Sequence, residues 1–238
     1  MKRNMYLAAI KTPVFKEGEN LLVFLKKNLP LKLPEKSIVV VTSKIVALSQ
    51  RRVVNPSQTD WDELIKKESD WAISTKYCYL TLKEGVIAPN AGIDKSNAAG
   101  KWILWPKNSW KVAAVLRRQL ARYYRLKNLG VLITDSRTIP LRAGVVGMAL
   151  AYAGFKGLRD YRGKEDIFGY VLKMSRTDVA DSLATSAVLL MGEAAEQRPL
   201  AVITEAPVEF TSRVNQKELR INPADDIYRP LFESLPKK

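Results

Sequence analysis

The chain contains no histidine, a single cysteine and no apolar run suited to crossing a bilayer. Without imidazole, Ser-His-Asp and Cys-His triads, histidine zinc sites and imidazole general bases are all excluded. Any bound metal must then rely on Asp, Glu, Ser, Thr and backbone oxygens, hard donors that suit Mg²⁺ or Mn²⁺, the ions that accompany phosphates. With Cys78 alone, no intrachain disulfide can form, and the residue is expected to be a small buried hydrophobe. The longest uncharged apolar stretches, 112–116 and 143–155, are too short or too rich in glycine to span a membrane. The stretch 6–10 is too short for a signal-peptide core and is interrupted by Lys11, so a cytoplasmic location is the expectation.

What is present points to a folded protein that attracts anions. The 47% hydrophobic and 26% charged residues are the proportions of a globular chain, and 238 residues can bury a substantial core in one large or two small domains. The formal net charge of +15 raises the local concentration of polyanions without choosing among nucleotide, phosphorylated cofactor, polyglutamate tail and nucleic acid. Between residues 101 and 130 stand eight Lys or Arg and no Asp or Glu, interleaved with Trp102, Trp105, Trp110, Tyr123 and Tyr124. That is the best argument for a nucleic-acid surface. The favoured alternative is a helix capped by Ser109, with Val112, Val115, Leu116 and Leu120 facing a core and Lys111, Arg117, Arg118 and Arg122 in solvent.

No repeat, low-complexity tract or flexible linker divides the chain, so it is treated as a single unit over residues 1–238, with two intertwined subdomains as an option. The β-branched run 38–42 predicts a buried strand with Ser43 and Lys44 at its end. Residues 61–71 suggest a helix capped by Asp60, followed by a hairpin of 77–82 and 86–88. Asn128-Leu129-Gly130 reads as a turn before a strand, 131–134, that ends on Asp135. Residues 175–178 have capping-box spacing, predicting a helix that buries Val179, Leu183, Val188, Leu189 and Leu190 and stops at Gly192; 200–204 is a further strand. Without regular strand-helix alternation, a mixed α+β fold is expected.

Two segments then carry a family resemblance. Asn90-Ala91-Gly92-Ile93-Asp94-Lys95-Ser96-Asn97 combines small residues, which let backbone approach a ligand, with convergent oxygens and an amide. Thr134-Asp135-Ser136 is followed by Pro140-Leu141-Arg142-Ala143-Gly144. Further blocks follow in order at Arg159-Asp160-Tyr161-Arg162-Gly163, Asp166-Ile167-Phe168-Gly169, Val179-Ala180-Asp181 and Met191-Gly192-Glu193. In this order and spacing the chain resembles the coenzyme F420-0 γ-glutamyl ligase family from about Thr12 to Thr204.

The resemblance implies a ligase of that fold, which uses GTP to add L-glutamate to a carboxylated cofactor acceptor, F420-0 or a folate-like molecule, through an acyl phosphate. It implies a Mg²⁺ or Mn²⁺ site of Asp94, Asp135, Ser136 and Glu193, with Asp94, Asp135 and Arg142 as catalytic residues. Thr12, Pro13, Val14, Phe15, Ser43, Lys44, Asn97, Met191 and Gly192 match nucleotide-contacting positions, and a homodimer is implied. Three departures mark this chain: Leu48 stands where the family has a lysine, Trp105-Pro106-Lys107-Asn108 replaces an acidic segment, and Ser136-Arg137-Thr138-Ile139 lacks a glycine and shifts an arginine. The alternative function is a ligase-like scaffold that binds nucleic acid or another polyanion through its basic surface.

Overall fold

The computed structural model describes residues 4–232. In chain order its regular elements are β1 (Tyr6–Ile10), α1 (Leu21–Asn28), β2 (Ser37–Thr42), α2 (Ser43–Ser49), β3 (Val53–Val54), α3 (Trp61–Glu68), β4 (Trp71–Ser74), β5 (Tyr79–Lys83) and β6 (Val86–Pro89). There follow β7 (Trp102–Ile103), α4 (Ser109–Tyr124), β8 (Leu129–Thr138), β9 (Val145–Ala153), β10 (Leu158–Asp160), β11 (Arg176–Asp178), α5 (Val179–Met191) and β12 (Leu200–Thr204).

A five-stranded sheet in the order β1-β12-β2-β8-β9 forms the centre. The β2–β8 pair is parallel and the other neighbours are antiparallel, so the sheet is mixed, as expected of an α+β chain. Alternation along β2 explains why it is hydrophobic throughout. Val39 and Val41 join one core with Phe24, Leu25, Leu116 and Leu120 from α1 and α4, while Ile38 and Val40 join a second with Leu183, Ala184 and Ala187 from α5. Covering both faces buries every β2 residue but the last. A three-stranded meander, β4-β5-β6, packs with α3 beside this sheet.

Several local expectations are corrected. Leu129 and Gly130 already belong to β8, and that strand runs through Asp135 to Thr138, with a register shift between Ile133 and Thr134 where it pairs with β9. Asp135 therefore follows an irregularity within a strand and does not end one; such bulges re-aim side chains. Asn108, in the left-handed conformation, precedes α4, and Ser109 is its first residue, with its hydroxyl donating to the Pro106 carbonyl. On α4, Leu116 and Leu120 are buried and Val112 and Val115 half-buried; Arg117 turns back to donate to the Leu129 carbonyl.

The cap of α5 is Asp178, which accepts from the Asp181 N–H, because residues 176–178 are taken up by pairing with β10. Leu189 and Leu190 are exposed, since the face of α5 that is buried against the sheet is the one carrying Val179, Ala180, Leu183, Ala184, Ala187 and Met191. Asp60 caps α3 as expected, but the helix stops at Glu68 because Trp71 begins the meander. Cys78 is only half-buried, next to the exposed bend between β4 and β5.

The contact between α5 and β9 is close enough to require glycine. A Cβ at Gly147 would lie 2.3 Å from the Ala184 carbonyl oxygen, and the Gly147 carbonyl accepts from Thr185 Oγ1 at 2.9 Å. Gly147→Ala should lower stability by roughly 1–3 kcal/mol, the usual cost of overpacking. Urea unfolding checks this, and an unchanged midpoint would mean that α5 moves away freely.

Candidate functional site

Three strands run towards one end of the sheet and deliver their following residues into one cavity. Thr42 of β2 lies beside Thr134 of the parallel β8, and β1 leads into Thr12. The crevice beyond the carboxyl ends of such strands is where α/β sheets commonly bind ligands. Here it is a cavity of about 330 Å³. Its wall includes Thr12, Pro13, Val14, Phe15, Ser43, Lys44, Asp94, Asn97, Asp135, Ser136, Met191, Gly192 and Glu193. Thus every residue singled out from the sequence lines one space except Arg142, which is exposed in the turn between β8 and β9 and does not line it.

The wall is held together by bonds between segments distant in sequence. The Thr12 N–H donates to the Gln197 carbonyl, and the Thr42 N–H donates to the Pro199 carbonyl, each at 3.0 Å. Asn97 Nδ2 donates to the Ala194 carbonyl at 2.9 Å, which ties the 94–97 loop to the loop after α5. That first loop leaves β6 through Asn90, Ala91 and Gly92, all with positive φ. Gly92 is obligatory there for a second reason: a Cβ on it would overlap the indole of Trp105.

Trp105 was not anticipated as a site residue. Its indole N–H donates to Asp135 Oδ2, while Asp135 Oδ1 accepts from the Ser136 N–H, so both oxygens of the carboxylate are oriented. Trp105 is itself anchored, because its carbonyl accepts from Arg52 Nε and its ring lies under Lys83. Arg52 and Lys83 both pair with Glu68, which completes a largely buried ionic cluster behind the wall. Arg52 is therefore turned away from the cavity, and the wall at position 48 is the leucine side chain. The signal that could have revealed Trp105 was its place in a tryptophan-proline pair where the family has an acidic segment, but nothing in the local pattern assigns its partner.

Electrostatically the cavity is short of positive charge. Burial alone would raise the Asp94 carboxyl, but the Lys44 ammonium at 2.8 Å and the Ser96 N–H outweigh it and hold the group below its ordinary range. Among the described residues no cation is bonded to Asp135. Burial pushes it up to about 6, with nearby Asp94 adding to the rise and the N–H groups of Ser136 and Trp105 opposing it. Glu193 is also raised, by burial and by Asp94 and Glu196, against the pull of Lys44. Among the described residues no three carboxylate or thiol groups stand close enough together to hold an ion unaided. A Mg²⁺-type ion needs only one or two carboxylates when phosphates and water complete its shell, so this oxygen-only, under-neutralised set fits it.

The family model described as F420-0:Gamma-glutamyl ligase matches residues 9–205. The chain belongs to this family. It is similar to a protein from Methanococcus maripaludis named coenzyme F420:L-glutamate ligase, with 30% identity covering 94% of this chain and 97% of that one. A protein of the same name from Methanocaldococcus jannaschii is 27% identical over 96% and 98% of the two chains, and one from Methanopyrus kandleri is 33% identical over 70% and 67%. Membership makes the chain a ligase by family. No helix among the described residues is long and apolar enough to cross a membrane.

The raised Asp135 carboxyl has a measurable consequence. A carboxyl whose folded-state pKa exceeds its unfolded value binds more protons when folded, so its contribution to stability is lost as pH rises from near 4 through about 6. Asp135→Asn should therefore raise the melting temperature of the ligand-free protein by a few degrees at pH 8 and by much less at pH 4.5, at ~2–4 °C per kcal/mol. Calorimetry at the two pH values checks it, and an equal shift at both would mean that Asp135 is not the strained group.

Proposed function

We propose that the protein is a GTP- and metal-dependent ligase that joins the amine of L-glutamate to a carboxylate of a cofactor, F420-0 or a folate-like acceptor. The observation that carries this reading is that Asp94, from the loop after β6, and Asp135, from within β8, line one cavity with Lys44 as the only lysine on its wall. Asp94, Asp135, Ser136 and Glu193 would hold a Mg²⁺ or Mn²⁺ ion. That ion would neutralise charge on the nucleotide phosphates.

In the first step an oxygen of the acceptor carboxylate attacks the γ-phosphorus and GDP leaves, which forms an acyl phosphate. The glutamate amine then attacks the acyl carbon, losing a proton as inorganic phosphate departs, and an amide results. Little of this requires protein acid-base chemistry; positioning and charge stabilisation contribute most. The residues from Thr12 to Phe15, with Ser43, Asn97, Met191 and Gly192, supply walls and donors for the nucleotide. Lys44, whose ammonium bridges Asp94 and Ser96, holds the 94–97 loop in place on the cavity wall. Arg142 keeps a catalytic role in this proposal only by resemblance, since it is exposed in the turn between β8 and β9 and does not line the cavity. Exposed Ile167, Phe168 and Met174, beyond β10, support a homodimer.

Incubating the protein with Mg²⁺ or Mn²⁺, GTP, glutamate and a panel of deazaflavin and folate acceptors should give phosphate and a glutamylated product. Asp94→Asn and Asp135→Asn should each lower turnover by about 100-fold or more, as loss of several kcal/mol of charge stabilisation requires. Absence of product with every acceptor, or full turnover in both variants, would defeat the proposal.

One observation favours a second reading. Lys111, Arg118 and Arg122 are exposed on α4 and none has a carboxylate partner among the described residues. If that face binds nucleic acid, affinity for RNA or DNA should fall steeply with salt and drop when the three are neutralised; insensitivity to both removes it.

A further inference from the structure

The block Val179-Ala180-Asp181 stands out in the sequence, yet Asp181 is not on the cavity wall. Its side chain is only 16% exposed and both carboxylate oxygens are taken. Oδ1 accepts from the Ala149 N–H of β9 at 2.9 Å, and Oδ2 accepts from Arg137 Nη2 of β8 at 2.7 Å. One side chain in the first turn of α5 thus ties two neighbouring strands together.

The stretch of sheet it holds is the one that carries Asp135. Strand β2 ends at Thr42, opposite Thr134, so Asp135, Ser136 and the rest of β8 pair with β9 alone. In turn β9 is the edge of the sheet, and it carries an extra residue, Leu150, where its register with β8 shifts. A bulge disrupts the local ladder, and an edge strand has no second neighbour to restore it. Here α5 takes that part. Asp181 accepts the N–H of Ala149, next to the extra residue, and one turn further on Thr185 Oγ1 donates to the carbonyl of Gly147, which faces Ser136 across the pair.

We propose that Asp181 is a positioning residue for the cation site: its carboxylate holds the β9 edge and Arg137 to α5, and so sets where Asp135 and Ser136 stand in the cavity. The inference rests on the cation-dependent reading above and extends it to a residue that touches neither ion nor substrate. Partners that orient a ligand from outside the coordination shell commonly matter by 10–100-fold in metal affinity. The Trp105 indole N–H, bonded to Asp135, reports the same positioning without any metal.

The test uses the intact protein well below its melting temperature, with two readouts. One is Mn²⁺ affinity by electron paramagnetic resonance; the other is the Trp105 indole N–H resonance without metal, identified by its loss in Trp105→Phe. Asp181→Ala should weaken Mn²⁺ about tenfold or more and shift the indole resonance. Asp181→Asn keeps an oxygen for the Ala149 N–H and should hold both readouts near those of the unaltered protein. If the alanine variant does not fold, Asp181→Glu, which keeps the charge on a longer arm, should change both in the same direction. A lower melting temperature with both readouts unchanged in the folded variant is what a merely structural role gives, and it overturns the assignment while leaving the cation reading intact. If the unaltered protein binds no Mn²⁺, the cation reading fails, and the indole resonance alone decides whether Asp181 positions Asp135.

Discussion

A carboxylate set into protein near a second carboxylate, with one lysine bonded to the second and none to the first, is the constraint on which this site depends. Asp135 is destabilising where it stands, because burial and the charge of Asp94 both oppose its ionisation. The surrounding structure holds it there regardless. A register irregularity in β8 precedes it, the Ser136 N–H and the Trp105 indole fix its two oxygens, and the Glu68 cluster with Arg52 and Lys83 fixes Trp105 in turn. Partners that orient a ligating carboxylate commonly matter nearly as much as the ligand itself. A site so arranged is incomplete without positive charge from outside, which is the condition under which cation and phosphate bind together.

The fold brings the pieces to that point by parallel pairing. Because β2 and β8 run the same way, Thr42 and Thr134 end side by side, and the residues after each, Ser43-Lys44 and Asp135-Ser136, enter the same crevice. Antiparallel β12 then returns from the loop after α5, whose carbonyls are caught by Thr12, Thr42 and Asn97. Cavity formation and sheet formation are thus one event, so damage to the α5–β9 contact should reach the site through the sheet.

Much of this was legible in the sequence, and the failures have physical causes. Strand β12 and the buried run of β2 were clear because short, continuous apolar runs rich in β-branched residues leave little choice. Asp60 and Gly192 were readable because caps are local. Asp178 was not, since Ser175 offers an equally good spacing and only the pairing of β11 with β10 decides between them. Leu189 and Leu190 misled because apolar character says nothing about which face of a helix meets a sheet. At the site, the wall residues came from the family resemblance, whereas Trp105 escaped because its bond to Asp135 exists only across a contact between distant segments. The basic run on α4 shows the same limit: composition suggested one charged face, yet Arg117 is turned inward to a carbonyl.

The central claim is that Asp94 and Asp135 act together as the protein side of one cation-and-phosphate site. Electron paramagnetic resonance of Mn²⁺, titrated into the protein with and without GTP, tests it most directly. The account predicts protein-bound Mn²⁺ that GTP tightens and that disappears when either aspartate is replaced by asparagine. Mn²⁺ binding that is indifferent to GTP, or that survives in both variants, would contradict it.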